Sequence, residues 1–403
     1  MLGVWMWPES LRLRGADAVF DDCRRAGITD VFFLTKGLAG TTAHATPLAP
    51  PMIEGRDLLR EALDAAHARG IRLHAWFTSA SDVHYCAEHP AAGLCHFKKG
   101  PSEKIVSIAD AEYARYLQSV LADLLRRYDV DGVHLDYIRY NHLLYGWSAD
   151  DRQRYADAGI DLGRIEDLLE KTFYGGESEK EAIFDAYRAG DADAVRLADA
   201  RADAVLLFAS PLAEIVRQES RAVLSMALMP EGAFADSAFA DLHYGQRYER
   251  LAELADLFLP MAYSQAYHQG PDWTAEVARG TLRKAAGRAE VMTGLHAYEG
   301  GTGVTLSKDR RAAEAVPGTA GVCFFREGAF VWAFADGHRL TLVNALKTAL
   351  TSCRIGHGSA ALTRGIALEP GVSCTVTLPF LPETVQVWTA DGEVCAALFH
   401  EAG

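Results

Sequence analysis

The sequence predicts an α/β fold, a (β/α)8 TIM barrel followed by a small β-rich C-terminal domain. Three observations lead there. Short apolar runs rich in β-branched and aromatic residues alternate with segments of helical spacing, eight times in all, and repeated strand-then-helix units imply a parallel sheet with right-handed crossovers. A chain of 403 residues, 49% hydrophobic and 23% charged, can bury one core of that size and carry a small appendage. Residues able to do chemistry also fall just past the strand ends, at the face where such barrels keep their sites.

Residues 2–7 form the first strand, with a helix-like segment through about residue 26. The second strand is 30–34, followed by a loop rich in Gly, Thr and Pro and a helix at 56–69 that Gly70 caps. The third strand spans 71–77. Its loop runs through Asp82, His84, Cys86, His89, Cys95 and His96 to about Ser107. Tyr113, Tyr116, Leu117, Val120, Leu121, Leu124 and Tyr128 recur at three- and four-residue steps, which predicts an amphipathic helix over 110–128. The fourth strand follows within 129–140. Alternation places Val133 and Leu135 on one face and Gly132, His134 and Asp136 on the other, and ionisable groups inside a barrel need partners or a wet cavity.

The polar, helix-prone stretch after Tyr140 reads as an insertion or lid over about 141–205. A helix at 206–219 leads to the fifth strand, 222–228. Helix 248–255 precedes the sixth strand, 257–263, and helix 274–286 the seventh, 290–296. The eighth is 321–325, with a closing helix at about 340–350, so the barrel covers 1–350. From about 355 the pattern becomes β-rich: 374–378 and 384–388 alternate, with Asp391-Gly392 as a hairpin turn.

A formal charge of −14 argues against nucleic acid or an anionic membrane surface as partner, and favours a neutral small or polymeric ligand. Seven scattered cysteines do not form a disulfide framework and favour a reducing compartment. With neither a basic leader nor a long apolar stretch at residue 1, the expected location is the cytoplasm. Oligomeric state is not legible.

Hydrolysis of a glycosidic bond needs two carboxyl groups, one to protonate the leaving oxygen and one to act as nucleophile or base. Asp136, at the mouth of the fourth strand, is the first candidate. For the second, Glu231, Glu299, Glu327 and Asp82 are available; Glu231 is favoured because it follows the fifth strand, beside the fourth. Trp7, Lys36, Trp76, Asp82, His134, Tyr137, Arg139, Tyr263, Gln265, His296, Glu299 and Glu327 make up the expected carbohydrate-binding set, aromatic rings suiting the apolar faces of sugars. The side chains of His84, Cys86, His89, Cys95 and His96 are of zinc-binding type, but their spacing matches no zinc pattern, so neither a metal nor any other cofactor is expected. No Gly-rich phosphate loop or Gly-x-Ser-x-Gly elbow is present.

The run Val130-Asp-Gly-Val-His-Leu-Asp-Tyr-Ile-Arg-Tyr140 resembles the hallmark of glycosyl-hydrolase-like family 10, which includes the YngK-type bacterial barrels. Residues 70–76 and 255–263 are similar to that family's third and sixth strands, although Asn141 stands where the family usually has proline. The resemblance implies a barrel acting on glycosidic bonds, with Asp136 as a catalytic carboxylate and His134, Tyr137 and Arg139 lining the sugar site. The expectation is therefore a glycoside hydrolase. Two rivals are a metal-dependent barrel hydrolase using His74, His84, His134 and Asp136, and a barrel that binds glycans without cleaving them.

Overall fold

The computed structural model describes residues 1–298 and 300–401. Eight parallel strands form a closed barrel: β1 (Leu2–Met6), β2 (Asp30–Lys36), β3 (Arg72–Thr78), β4 (Gly132–Asp136), β5 (Val223–Leu228), β6 (Leu257–Ala262), β7 (Glu290–His296) and β8 (Gly321–Phe325). Each strand pairs with its neighbours in sequence, and β8 pairs with β1. Inside, Trp5, Phe32, Trp76, Leu259 and Met292 pack together. Glycines make room for the largest inward rings: a Cβ on Gly132 would lie 1.9 Å from the His74 ring, and one on Gly294 would lie 2.9 Å from Trp5. Outward positions such as Val4, Phe33, Leu73, Val133 and Leu135 are sealed beneath the helices.

The helix expected over 110–128 is Ala111–Arg127. Asp110 caps its first turn by accepting from the Tyr113 amide, and Tyr113, Leu117, Val120, Leu121 and Leu124 are its buried face. At the opposite end of the barrel, the buried Asp30 carboxylate accepts from His74 (2.9 Å), Arg72 (2.9 Å) and Thr29 (2.6 Å). Burial alone would raise its pKa, but the hydrogen bond and charge of His74, with the hydrogen bonds from Thr29 and Arg72, outweigh burial and hold it at about 2. A carboxyl depressed in the folded state stabilises above its unfolded pKa and loses that contribution as pH falls through the folded value. Asp30→Asn is therefore expected to lack a stability increment of about 2 kcal/mol that the wild type loses between about pH 4 and pH 2. Denaturant midpoints at pH 7 and pH 2.5 measure it.

The insertion is a helical subdomain. Ala149–Asp157, Leu162–Tyr174 and Ala182–Arg188 pack on the first half of a single 28-residue helix, Ala192–Glu219, around Trp147, Tyr155, Ile165, Leu169, Ile183 and Leu197. The helix expected at 206–219 is thus the second half of a longer one. The β3 loop holds a hairpin, Gly93–His96 with Gly100–Val106, and helix Gly303–Glu314 follows β7. Neither was foreseen.

The closing helix expected at 340–350 is not formed. Residues there make strand Arg339–Val343, which pairs antiparallel with Val331–Asp336 and Ser373–Thr377, and the start of Leu350–His357. The β-rich region accordingly begins at Val331 instead of 355 and contains two four-stranded sheets. Phe330, just before this region, and Trp332, Phe334 and Phe399 within it join the barrel's outer core beside Phe324 of β8. Arg25 of helix Ala16–Arg25 lies over Phe334, and Arg310 of helix Gly303–Glu314 over Phe399. The sheet fills the position of an eighth outer helix. No helix among the described residues is long and apolar enough to cross a membrane.

Candidate active site

At the C-terminal ends of the strands a pocket of about 170 Å³ opens, lined by Trp7, Leu34, Leu38, Trp76, Thr78, Asp136, Tyr137, Arg139, Met261, Tyr263 and Phe325. Asp136 ends β4 and is 7% exposed. Its Oδ2 accepts from the Trp76 indole (3.2 Å) and its Oδ1 from the Tyr137 amide (2.7 Å). Burial pushes this carboxyl above the usual range, against the opposing effects of Arg139, the Tyr137 amide and Trp76. Tyr137 sits in the left-handed region at φ 55°, a conformation that costs a bulky residue on the order of 1–3 kcal/mol. Strain of this kind gathers where geometry matters for function.

The floor is neutral. His134 is fully buried and its Nε2 accepts from Trp5 Nε1 (3.1 Å), which leaves the proton on Nδ1 to donate to Ser225 Oγ (2.9 Å). Burial holds its pKa well below the ordinary value, so no imidazolium forms beneath Asp136. His134 thus supports the pocket from below and does not line it.

Glu231 lies in the short 3-10 turn Pro230–Ala233 after β5. Tyr267 (3.1 Å) and Tyr244 (3.3 Å) both donate to its Oε1, while its buried Oε2 has no hydrogen-bond partner. Burial raises its pKa, opposed by a backbone hydrogen bond, the two tyrosines and Arg139. Glu231 is not among the residues lining the pocket. Arg139 connects the two carboxyls electrostatically: its charge lowers the pKa of both. The guanidinium lies 5.0 Å from the Tyr137 ring and 5.6 Å from that of Tyr244, with Nη1 making only 3.4 Å contacts to Tyr140 O and Asn141 Oδ1, and among the described residues it has no ion pair.

The other expected residues divide clearly. Trp7, Trp76, Tyr137, Arg139 and Tyr263 reach the pocket, and Trp7 is covered on one side by the Arg326 guanidinium at 3.6 Å. Tyr263 stands close enough to Asp136 that the carboxylate, after burial, raises its hydroxyl pKa. Lys36 and Asp82, expected at the sugar site, instead pair with each other at 3.0 Å, both fully buried. Glu327 is also fully buried and accepts from Arg14 (3.1 Å), away from the pocket lining. His296 is buried and stacks on Tyr298 at 3.9 Å, and Gln265 turns toward Ser264; neither lines the pocket. Glu299 lies outside the described residues.

Sequence reasoning missed Leu34, Leu38, Thr78, Met261 and Phe325 as lining residues, and Tyr244 and Tyr267 as the donors to Glu231. Inward alternation on β2, β6 and β8 was the available signal for Leu34, Met261 and Phe325. Among the described residues no three or more His, Cys, Asp or Glu side chains converge as a metal would require. His84 faces Glu88, and Cys86 is buried.

The profile of the family described as Glycosyl hydrolase-like 10 matches residues 50–273, more than half the chain, a span that includes β3 to β6, Asp136 and Glu231. The chain belongs to the glycosyl hydrolase-like 10 family. The glycosyl hydrolase-like 10 barrel is similar in fold to the PgaB (BpsB) glycoside hydrolase domain from Bordetella bronchiseptica, at 13% identity and TM-score 0.61 over 81% of this chain and 93% of that one. It is similar also to a β-galactosidase from the psychrophilic Marinomonas ef1 (17% identity, TM-score 0.55, 81% and 54% covered). A third is α-L-fucosidase isoenzyme 2 from Paenibacillus thiaminolyticus (11%, TM-score 0.52, 78% and 43%). At these identities the likeness is one of fold. Among curated proteins none matches this member of the family in sequence.

Proposed function

We propose that this chain is a glycoside hydrolase that cleaves an O-glycosidic bond above Asp136, with Asp136 as nucleophile or base and Glu231 as proton donor. The observation that carries the reading is a buried carboxylate at the barrel mouth, facing an aromatic-lined cavity. Trp7, Trp76 and Tyr263 offer faces for a sugar ring and Arg139 a fixed charge. Family membership and the fold shared with glycoside hydrolases support it. Glu231 suits the acid because Oε2 lacks a donor, so a proton can rest there, while both oxygens of Asp136 accept and favour its ionised form.

The test is a panel of aryl glycosides and oligosaccharides assayed with wild type and Glu231→Gln. The reading requires hydrolysis by the wild type and a fall of about 10²-fold or more in the variant, the range general acid catalysis supplies. A pH profile adds a signed check. Tyr267 holds the ionised form of Glu231, so Tyr267→Phe raises the pKa of the acid and is expected to move the alkaline limb of kcat/KM upward, because protonated Glu231 then persists to higher pH. An unmoved limb would count against Glu231.

One observation favours a second reading, a barrel that binds a glycan without cleaving it: Glu231 stands outside the pocket lining. Saturable glycan binding by calorimetry, with no hydrolysis of the same glycan by the wild type, would establish that reading instead.

A further inference from the structure

The helical insertion has a fully buried arginine on its long helix, Arg201. Its Nη1 donates to Tyr145 O (2.9 Å), and its Nη2 to both His142 O (3.1 Å) and His243 O (3.1 Å). The guanidinium carbon lies 3.8 Å from the centre of the Tyr140 ring. Among the described residues no carboxylate pairs with it, although Arg154 and Arg247 nearby both have one. Desolvating a guanidinium without a counter-ion is costly and is tolerated when carbonyl dipoles and an aromatic face surround it.

Those carbonyls belong to two segments that lead to the two candidate carboxyls. Tyr140, His142 and Tyr145 continue the chain directly from Asp136 and Arg139. His243 precedes Tyr244, whose hydroxyl donates to Glu231, and Tyr140 N donates to Tyr244 O (3.2 Å), closing the two segments on each other. The packing is tight: a Cβ on Gly146 would lie 2.5 Å from the Tyr140 ring, and one on Gly245 would lie 2.8 Å from Arg201 O. Both glycines also have positive φ.

We infer that Arg201 is a positioning residue, which fixes the Asp136 loop and the tyrosine holding Glu231 at one separation and so makes the insertion a brace for the site. The inference rests on the glycosidase reading for its catalytic meaning, but its geometric content is testable without a substrate. In the full chain labelled with ¹³C-carboxyl glutamate, the Glu231 resonance, assigned by its loss in Glu231→Gln, is expected to titrate above the ordinary glutamate value in wild type, since burial raises it. In Arg201→Met, released His243 and Tyr244 let water reach the carboxyl; relief of burial, the largest influence on it, outweighs loss of the weaker Tyr244 hydrogen bond, and its titration is expected to fall toward the ordinary range. The exposed Arg196→Met on the same helix should leave it unchanged. An unaltered Glu231 titration in a folded Arg201→Met protein overturns the inference. Should that variant fail to fold, Arg201→Lys, which keeps the charge but not the planar fork, is read in the same way.

A kinetic arm separates positioning from bulk stability, using phenyl and dinitrophenyl glycosides of the sugar that wild type cleaves fastest. A displaced proton donor is expected to slow the phenyl glycoside at least tenfold more than the dinitrophenyl one, whose leaving group needs no proton. Equal losses on both would mean a structural role only and overturn the inference. Absence of hydrolysis by wild type would instead overturn the glycosidase reading, with the Glu231 titration still deciding the role of Arg201.

Discussion

Asp136→Asn is expected to lower kcat/KM by about 10³-fold or more, equivalent to about 4 kcal/mol of lost transition-state stabilisation. The asparagine retains an acceptor for the Tyr137 amide and nearly the same volume against Trp76, so the pocket should keep its shape. The charge and the nucleophilic oxygen are removed, and with that oxygen the acceptor of the Trp76 indole N–H. The effect on stability has the opposite sign. Burial raises the Asp136 pKa in the folded protein, so the protonated state is favoured by folding, and that contribution is lost as pH rises through the folded value. Wherever this carboxyl is ionised, its charge therefore opposes folding. Asp136→Asn should unfold at an equal or higher denaturant concentration than wild type, a pattern common where active sites trade stability for activity. Activity retained within tenfold, or a clear loss of stability, would contradict the role given to this residue.

The second large effect concerns the core. Lys36→Met is expected to destabilise the chain by about 3–5 kcal/mol, because it leaves the Asp82 carboxylate buried without its counter-ion. Lys36 Nζ also donates to Ser81 O (2.6 Å) and the Tyr113 hydroxyl (2.9 Å), and Tyr113 in turn donates to Ser79 O (2.5 Å), whose own amide bonds Asp136 O (2.7 Å). The pair thus ties the end of β2 to the loop after β3 and, through it, to the backbone of Asp136. Asp82 has a further task, capping helix Val83–Glu88 by accepting from the Tyr85 amide at 2.8 Å. Lys36→Met combined with Asp82→Asn removes both charges and keeps that cap. The double variant should recover most of the loss, and urea midpoints for the four proteins of the cycle give the coupling directly. A single variant within about 1 kcal/mol of wild type would show that the pair contributes little, as exposed ion pairs do.

The barrel was legible because each strand lies between turn residues and a helix of regular apolar spacing, and β7 and β8 have the expected bounds. The closing segment misled for a physical reason. Leu340, Val343, Leu346 and Leu350 fit helical spacing, while Leu340 and Leu342 between Arg339 and Thr341 fit a strand equally well. Pairing with Val331–Asp336 on one side and Ser373–Thr377 on the other decides in favour of the strand, and that pairing is not visible locally. The position of Asp136 at the barrel mouth was readable from its place at the end of a strand whose outer face is Val133 and Leu135. Lys36 and Asp82 occupy equivalent places after their own strands, and only the fold reveals that they neutralise each other. Tyr244 and Tyr267 lie 13 and 36 residues from Glu231, and no sequence spacing marks them as its hydrogen-bond donors.

The aromatic wall supplied by Phe330, Trp332, Phe334 and Phe399 has a consequence for how such a chain can be cut or recombined. The tail is not a cassette. Severing it after β8 would strip the outer surface of Phe324 and open the seam where the first and last staves of the cylinder meet, so a swap of C-terminal modules between relatives must carry those four rings along or leave a greasy scar on the trunk.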